Sequence, residues 1–393
     1  MVPDSFAQFF NTFSGSLLDH EEDYKNSSCV TGGADLLSSF QMDPVTHLLT
    51  GAVLGRAGLN RKAAYTTLAM TLAAEAPDLD VLWGLRGPVA GFEHHRGITH
   101  TLLAAPFIAL VTVAVVWLVH RCRKKPPLAP VRWALLWFFA FLADLSHLLL
   151  DFTNNYGLRP FFPFSSRWYS WDIVFIVEPL MLAVLVLALL MPWIFGLTDR
   201  EIGARRNPFR GRGWAITALL LIAFLYGLRH VEHQRAIDLA RSAEINAGPL
   251  LRVAAEPYPV NPFHWYAILE TKTTYQTIMV DTHLDDADAD SGQTIYKPVV
   301  TPLITAAKQS WLGQVYLDWS KFPVIEDKGP ITPPGYDVDP AQPDWHTVQF
   351  RDLRFGYPVL SFKANDSVLS GWVYVGPQME IEGMFMSGKE QKN

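Results

Sequence analysis

The sequence predicts a mainly α, polytopic transmembrane helical bundle followed by a C-terminal β-rich soluble domain, and three observations carry that reading. Apolar runs cover residues 99–119, 132–152 and 173–195, each about 30 Å long as a helix at roughly 1.5 Å per residue, enough to cross a bilayer's hydrocarbon core. Basic residues gather in alternate connections: Arg56, Arg61 and Lys62, then Arg121 to Arg132, then Arg200, Arg205, Arg206, Arg210 and Arg212. After Arg229 the composition turns to polar, Pro-punctuated sequence with short strand-like runs.

The chain has 393 residues, 50% of them hydrophobic, yet its mean hydropathy is only +0.13, so the apolar residues must be segregated along it. A net charge of −6 offers no basic surface for nucleic acid, which is set aside as a partner. Cys29 and Cys122 lie far apart and imply neither a disulfide framework nor a thiolate zinc site.

Taken in order, residues 1–41 are polar, acidic around Asp19 to Asp23, and lack the basic and apolar regions of a signal peptide. They read as an N-terminal extension, disordered or upstream of the true start. Met42-Asp43-Pro44 is a more natural beginning, with Asp43 as N-cap and Pro44 at the first helical position. Residues 42–228 form the membrane domain. Its first part, 44–58 and 63–76, reads as a compact hairpin that enters the membrane only with tilting or local thinning. The three long spans follow, and then a shorter one from Trp214 to Leu228. By the positive-inside rule the basic loops are cytoplasmic, which puts loops 77–98 and 153–172 and everything after 229 outside. Residues 229–393 form the extracytoplasmic β-rich domain, with strands at Trp265 to Leu269, Thr274 to Val280, Val315 to Trp319 and Gly371 to Val375.

Ionisable residues collect at the outer helix ends. His47 opens the first helix, Asp78 and Asp80 close the second, His94, His95 and His100 flank the third, and Asp172 and Glu178 open the fifth. Asp144, His147 and Asp151 sit three and four residues apart on the fourth, which places them on one stripe. Asp144 lies about 10 Å deeper than Asp151 by the helical rise, where a lone carboxylate costs several kcal/mol unless paired or ligating. Imidazole and carboxylate donors together suit zinc, manganese or iron. Metal-bound water, acidified towards neutrality, is a hydrolytic nucleophile. A single His-x-x-x-Asp pair is more often structural, but five segments deliver such residues to one membrane face.

The segments Met42-Asp43-Pro44-Val45-Thr46-His47, Ala76-Pro77-Asp78-Leu79-Asp80, His94-His95-Arg96-Gly97-Ile98-Thr99-His100 and His147 to Asp151 resemble the YdjM-like family of bacterial inner-membrane metal-dependent hydrolases. The resemblance covers roughly residues 42–228, and the C-terminal domain looks like an extension shared by only some members. It implies His47, Asp78, Asp80, His95, His100, His147 and Asp151 as the metal-site positions. A looser similarity in helical framework, to zinc-dependent phospholipase C and P1-type nucleases, points to phosphoester hydrolysis by analogy.

Other candidates weigh less. Arg159 and Arg167 could clamp a phosphate or anchor an aromatic belt at the interface. Asp286-Ala287-Asp288-Ala289-Asp290 imitates the start of an EF-hand but lacks its Gly and Glu. Arg229-His230-Val231-Glu232-His233 reads as a solvated helix face, and His264, His283 and His346 are isolated.

The resulting expectation is a bacterial inner-membrane, metal-dependent hydrolase acting on an ester or phosphoester of a lipid or envelope-derived substrate. It would carry a divalent metal, zinc first and manganese as the alternative. Asp144 or Asp172 would be the general base and Arg96 the stabiliser of oxyanion charge. The rivals are an ion or proton transporter, whose ionisable groups should lie near the midplane, and an envelope protein with a closed structural metal site.

Overall fold

The computed structural model describes residues 44–201, 209–243, 248–333, 344–357 and 369–392. The expected N-terminal extension, the Asp43 cap, Cys29, Arg205 and Arg206 lie outside the described residues. Helices α1 (Pro44–Arg56) and α2 (Thr66–Glu75) form the expected hairpin, and α2 runs without a break into a 3-10 helix, Ala76–Arg86. Gly51 lets α1 approach α2: a Cβ there would lie 2.4 Å from the Met70 carbonyl oxygen. That close approach sets His47 of α1 beside the end of α2.

A short α3 (Pro88–His94) and a 3-10 turn, Ile98–His100, lead into α4 (Ala105–Cys122) and α5 (Trp133–Thr153). Helix α6 (Pro179–Glu201) follows, with Pro179 at its start and Glu178 accepting the Leu180 amide at 3.4 Å. Helix α7 (Arg212–Ser242) is far longer than the run from Trp214 to Leu228. Among the described residues, α4, α5, α6 and α7 are the four helices long and apolar enough to cross a membrane. The first begins later than residue 99 because the 3-10 turn and Pro106 delay the α-helix.

Two antiparallel sheets follow. The first has the order β1 (Arg252–Pro257), β2 (His264–Glu270), β3 (Thr274–Asp281), β4 (Asp286–Tyr296). The second runs β5 (Pro323–Asp327), β6 (His346–Asp352), β7 (Gly371–Val375), β8 (Ile381–Met386), β9 (Lys389–Glu390). Between them lie α8 (Pro302–Gln309) and α9 (Trp311–Trp319). The expected strand from Val315 to Trp319 is thus helix. Ser310 caps it by accepting the Gly313 amide, and Leu312, Tyr316 and Trp319, spaced four and three apart, bury one helical stripe. The acidic run from Asp286 is a strand rather than a calcium loop.

Residue 229, the expected domain boundary, falls inside α7, whose last turns pack Ala236 and Ala240 against Trp265, Ala255 and Ala267 of the first sheet. The solvated face expected at 229–233 is a correction of the same kind. Arg229, Glu232 and His233 are buried, and Arg229 pairs with Glu178 at 2.7 Å. The second sheet rests on α3: Val89 and Phe92 share one core with Tyr156, Tyr316, Trp319, Phe350 and Val373. Membrane bundle and sheets are therefore joined through helices α3 and α7.

Burial of Glu256 in β1 pushes its carboxyl up to about 8, with Asp172 adding to the rise and Lys321 and Arg354 opposing it. Both its oxygens are buried without a hydrogen-bond partner. A carboxyl raised in the fold contributes stability that is complete below its unfolded value and lost as pH rises through the folded one. Glu256→Gln is therefore expected to match wild type at pH 5 in Tm and to exceed it by roughly 3 °C or more at pH 8, measured by thermal denaturation in detergent at both pH values.

Candidate metal centre

Four chain segments meet at one cluster of ionisable side chains. Helix α1 brings His47, the 3-10 helix brings Asp78 and Asp80, the Ile98–His100 turn brings His100, and α5 brings His147 and Asp151. All six side chains are buried. The contacts among them are short: His100 Nε2 lies 3.0 Å from His147 Nε2, and each of these two nitrogens is 3.3 Å from Asp151 Oδ2. Asp78 Oδ1 lies 3.3 Å from His100 Nε2 and 3.6 Å from His147 Nε2, while His47 Nε2 is 3.5 Å from Asp151 Oδ1. Two overlapping donor groups result, His47, Asp78 and His147, and His100, His147 and Asp151.

Their surroundings fix which atoms face inwards. His147 Nδ1 lies 2.7 Å from the Ala74 carbonyl oxygen, an acceptor only, so Nδ1 carries the proton and Nε2 presents a lone pair. His100 Nδ1 lies 3.2 Å from Asp80 Oδ2, which fixes the same tautomer. Asp80 also accepts the Arg96 amide at 2.8 Å and faces His95 Nδ1 at 3.4 Å. It is thus an orienting carboxylate beside the donor groups, and His95 stands behind it with Nε2 buried and without a partner.

The fit to a cation is direct. Donors about 2.0–2.1 Å from one ion, at angles between octahedral and tetrahedral, lie roughly 2.9–3.4 Å apart, and the inter-donor distances cluster there. The buried Asp78 Oδ2 and His47 Nδ1 have no hydrogen-bond partner. The donor set is nitrogen and oxygen alone, suited to zinc or manganese. His47, Asp78, His100, His147 and Asp151 are the residues that could hold the metal.

The other expected residues divide. Asp144 lies one turn before His147, fully buried, with neither oxygen hydrogen-bonded. Asp172 is instead held by Lys321 at 2.8 Å and by Ser170, a salt bridge to the extramembrane part that removes it as a free base. Arg96 does belong to the site, but its guanidinium is already engaged: Nη2 meets Asp151 Oδ1 at 2.6 Å, and Nη1 donates to Asn154 and to the Gly157 carbonyl. It positions Asp151 rather than waiting for an oxyanion. Arg159 stacks over Trp168, donates to the Glu93 carbonyl and lies 3.5 Å from Asp318, and Arg167 lies over Tyr169.

Sequence patterns gave no sign of two further contributors. Asn154 accepts from Arg96 and from the Tyr156 and Gly157 amides, folding the loop after α5 around the site. Gln391, about 300 residues from α3, accepts the Val89 and Ala90 amides and donates to the Arg86 carbonyl at 2.9 Å. It thereby staples the turn between the aspartate-bearing 3-10 helix and the helix leading to His95. Gly87, at φ +119°, makes room for it, since a Cβ would lie 2.3 Å from Gln391 Oε1. Only a long-range contact shows this, and nothing local in the sequence marks Gln391.

Residues 42–236 match the family model described as "YdjM inner membrane protein". A protein of Bacillus subtilis (strain 168), "Uncharacterized protein YfhP", is 29% identical over 146 residues, covering 35% of this chain and 42% of that protein. The chain thus spans less than half the length of the curated relative it matches. No solved structure matches the chain, so the looser likeness to phospholipase C and P1 nucleases gains no structural support.

Gln391→Ala removes three hydrogen bonds worth about 0.5–1.5 kcal/mol each. Hydrogen exchange should speed up over residues 86–96 by roughly tenfold or more, with α6 and α7 unchanged, as measured by mass spectrometry on the detergent-solubilised protein.

Proposed function

Residues 42–236 belong to the YdjM inner membrane protein family, and from that premise we propose that the buried His–Asp centre makes this chain a metal-dependent hydrolase. The observation that carries the reading is the convergence of the Nε2 atoms of His100 and His147 on Asp78 and Asp151. A bound divalent metal, zinc first and manganese as the alternative, would supply Lewis acidity and an acidified water.

The chain's own residues do the rest. Asp80 and the Ala74 carbonyl hold His100 and His147 in the tautomers that present Nε2. Arg96 fixes Asp151, and Asn154 fixes Arg96. Of the two carboxylates expected as general base, Asp144 is the one with uncommitted oxygens. A pocket of about 20 Å³ beside His47, lined by Thr46, Asn154, Glu178, Tyr226 and the apolar segment Val174 to Ile176, has room for one water. The substrate we propose is an ester or phosphoester of a lipid or envelope-derived molecule, met on the extracytoplasmic face by the positive-inside rule.

The test is elemental mass spectrometry with a hydrolysis screen, on wild type and on a His147→Ala, Asp151→Ala double variant. Near-stoichiometric metal in wild type, its loss in the variant, and phosphoester or lipid-ester turnover abolished by chelation are expected. A folded wild type that stays metal-free after reloading, or one that holds metal but turns over no ester, would contradict the hydrolase reading.

A further inference from the structure

We infer that α2 and the 3-10 helix that continues it, Thr66–Arg86, form one further membrane span, with acyl chains as the partner of its outer face. Three observations converge on this. The first is length. Ten residues of α-helix and eleven of 3-10 helix extend about 15 Å and about 22 Å, together about 37 Å, against a hydrocarbon core of about 30 Å. Ala76 has helical dihedrals (φ −61°, ψ −34°), so the two halves join without a turn.

The second is the pattern of exposure. Leu68 and Leu72 lie on the open side of α2, and Leu79, Leu82 and Leu85 are 61%, 59% and 86% exposed on the 3-10 half. The spacing is four in the α part and three in the 3-10 part, the periods that keep one stripe facing one way in each kind of helix. Pro77, Asp78 and Asp80 turn inwards and are buried. A stripe of exposed leucines of this length has a natural occupant here, because the 3-10 helix packs beside α4, whose exposed Phe107, Leu110 and Val111 are already a lipid face. The ends carry interfacial residues: Arg61, Lys62 and Tyr65 at one, and Trp83 with Arg86 stacked 4.7 Å from its ring at the other.

The third is parity. With spans at α4, α5, α6 and α7 alone, the loop holding Arg61 and Lys62 would lie on the opposite side of the membrane from the loops holding Arg121 to Arg132 and Arg210. One more crossing between residues 62 and 105 puts all three basic loops on one side, and Thr66–Arg86 supplies it.

The consequence concerns the metal centre. Asp78 and Asp80 are then carried by a membrane span, and the centre lies within the leaflet on the side of the sheets. On the hydrolase reading, on which this clause rests, the scissile ester is one borne by a lipid of that leaflet.

The test uses the full chain with Cys29→Ser and Cys122→Ser, reconstituted in phosphatidylethanolamine–phosphatidylglycerol vesicles. Single nitroxide labels are placed at Leu79→Cys and Leu82→Cys, with Leu110→Cys as lipid reference and Leu284→Cys, on an exposed loop of the first sheet, as water reference. The ratio of collisions with oxygen to collisions with a water-soluble nickel chelate should match the Leu110 label at both sites. Ratios matching the Leu284 label would overturn the span. Impermeant maleimide on Lys62→Cys and Arg86→Cys, each alone in intact cells and in inverted vesicles, checks parity even where a label disturbs the stripe: reaction from opposite sides is expected, and reaction from one side overturns the proposal. Neither readout depends on hydrolysis, so failure of the span and failure of the hydrolase reading are separable.

Discussion

Two imidazole nitrogens facing each other at 3.0 Å constrain everything around them. His100 and His147 each have the other ring nitrogen tied to an acceptor, Asp80 and the Ala74 carbonyl. Two lone pairs at that distance repel unless a cation lies between them, either a shared proton or a metal. The buried carboxylates of Asp78 and Asp151 make the same demand, because removing a carboxylate from water costs several kcal/mol unless a positive charge answers it. Arg96 answers part of that demand at Asp151, and the rest falls on the occupant of the centre.

The rest of the molecule holds those donors in place. Gly51 allows α1 to close on α2 so that His47 reaches the cluster. The 3-10 helix, with three residues per turn, turns both aspartates inwards while a leucine in every turn faces out. The second sheet packs onto α3, and Gln391 pins the turn before it. The extramembrane sheets are thus part of the scaffold of the centre, and α7 ties the first of them to the bundle.

Much of this was legible in the sequence where a pattern is local. The apolar runs located α4, α5 and α6, and the strip Gly371 to Val375 is β7. The stripe of His147 and Asp151 and the clustering of histidines at helix ends brought five donors to one place. What escaped depends on distance or on mixed periodicity. Val315 to Trp319 looked like a strand because its aromatic and β-branched residues fit both periods over so short a stretch. Arg229 looked solvated because its partner Glu178 lies 51 residues away, and Asp172 looked free because Lys321 lies 149 residues away. The expected role of Arg96 changed for the same reason: its neighbours Asp151, Asn154 and Gly157 are assembled only by the fold.

The central claim, that the paired imidazoles and carboxylates bind a metal ion, is tested most directly by X-ray absorption spectroscopy at the metal edge of the purified protein. A metal held there gives a shell of nitrogen and oxygen donors at about 2.0–2.2 Å, with outer-shell imidazole scattering that weakens in His100→Ala. A spectrum dominated by sulfur, one without imidazole scattering, or one unchanged by His100→Ala would contradict it.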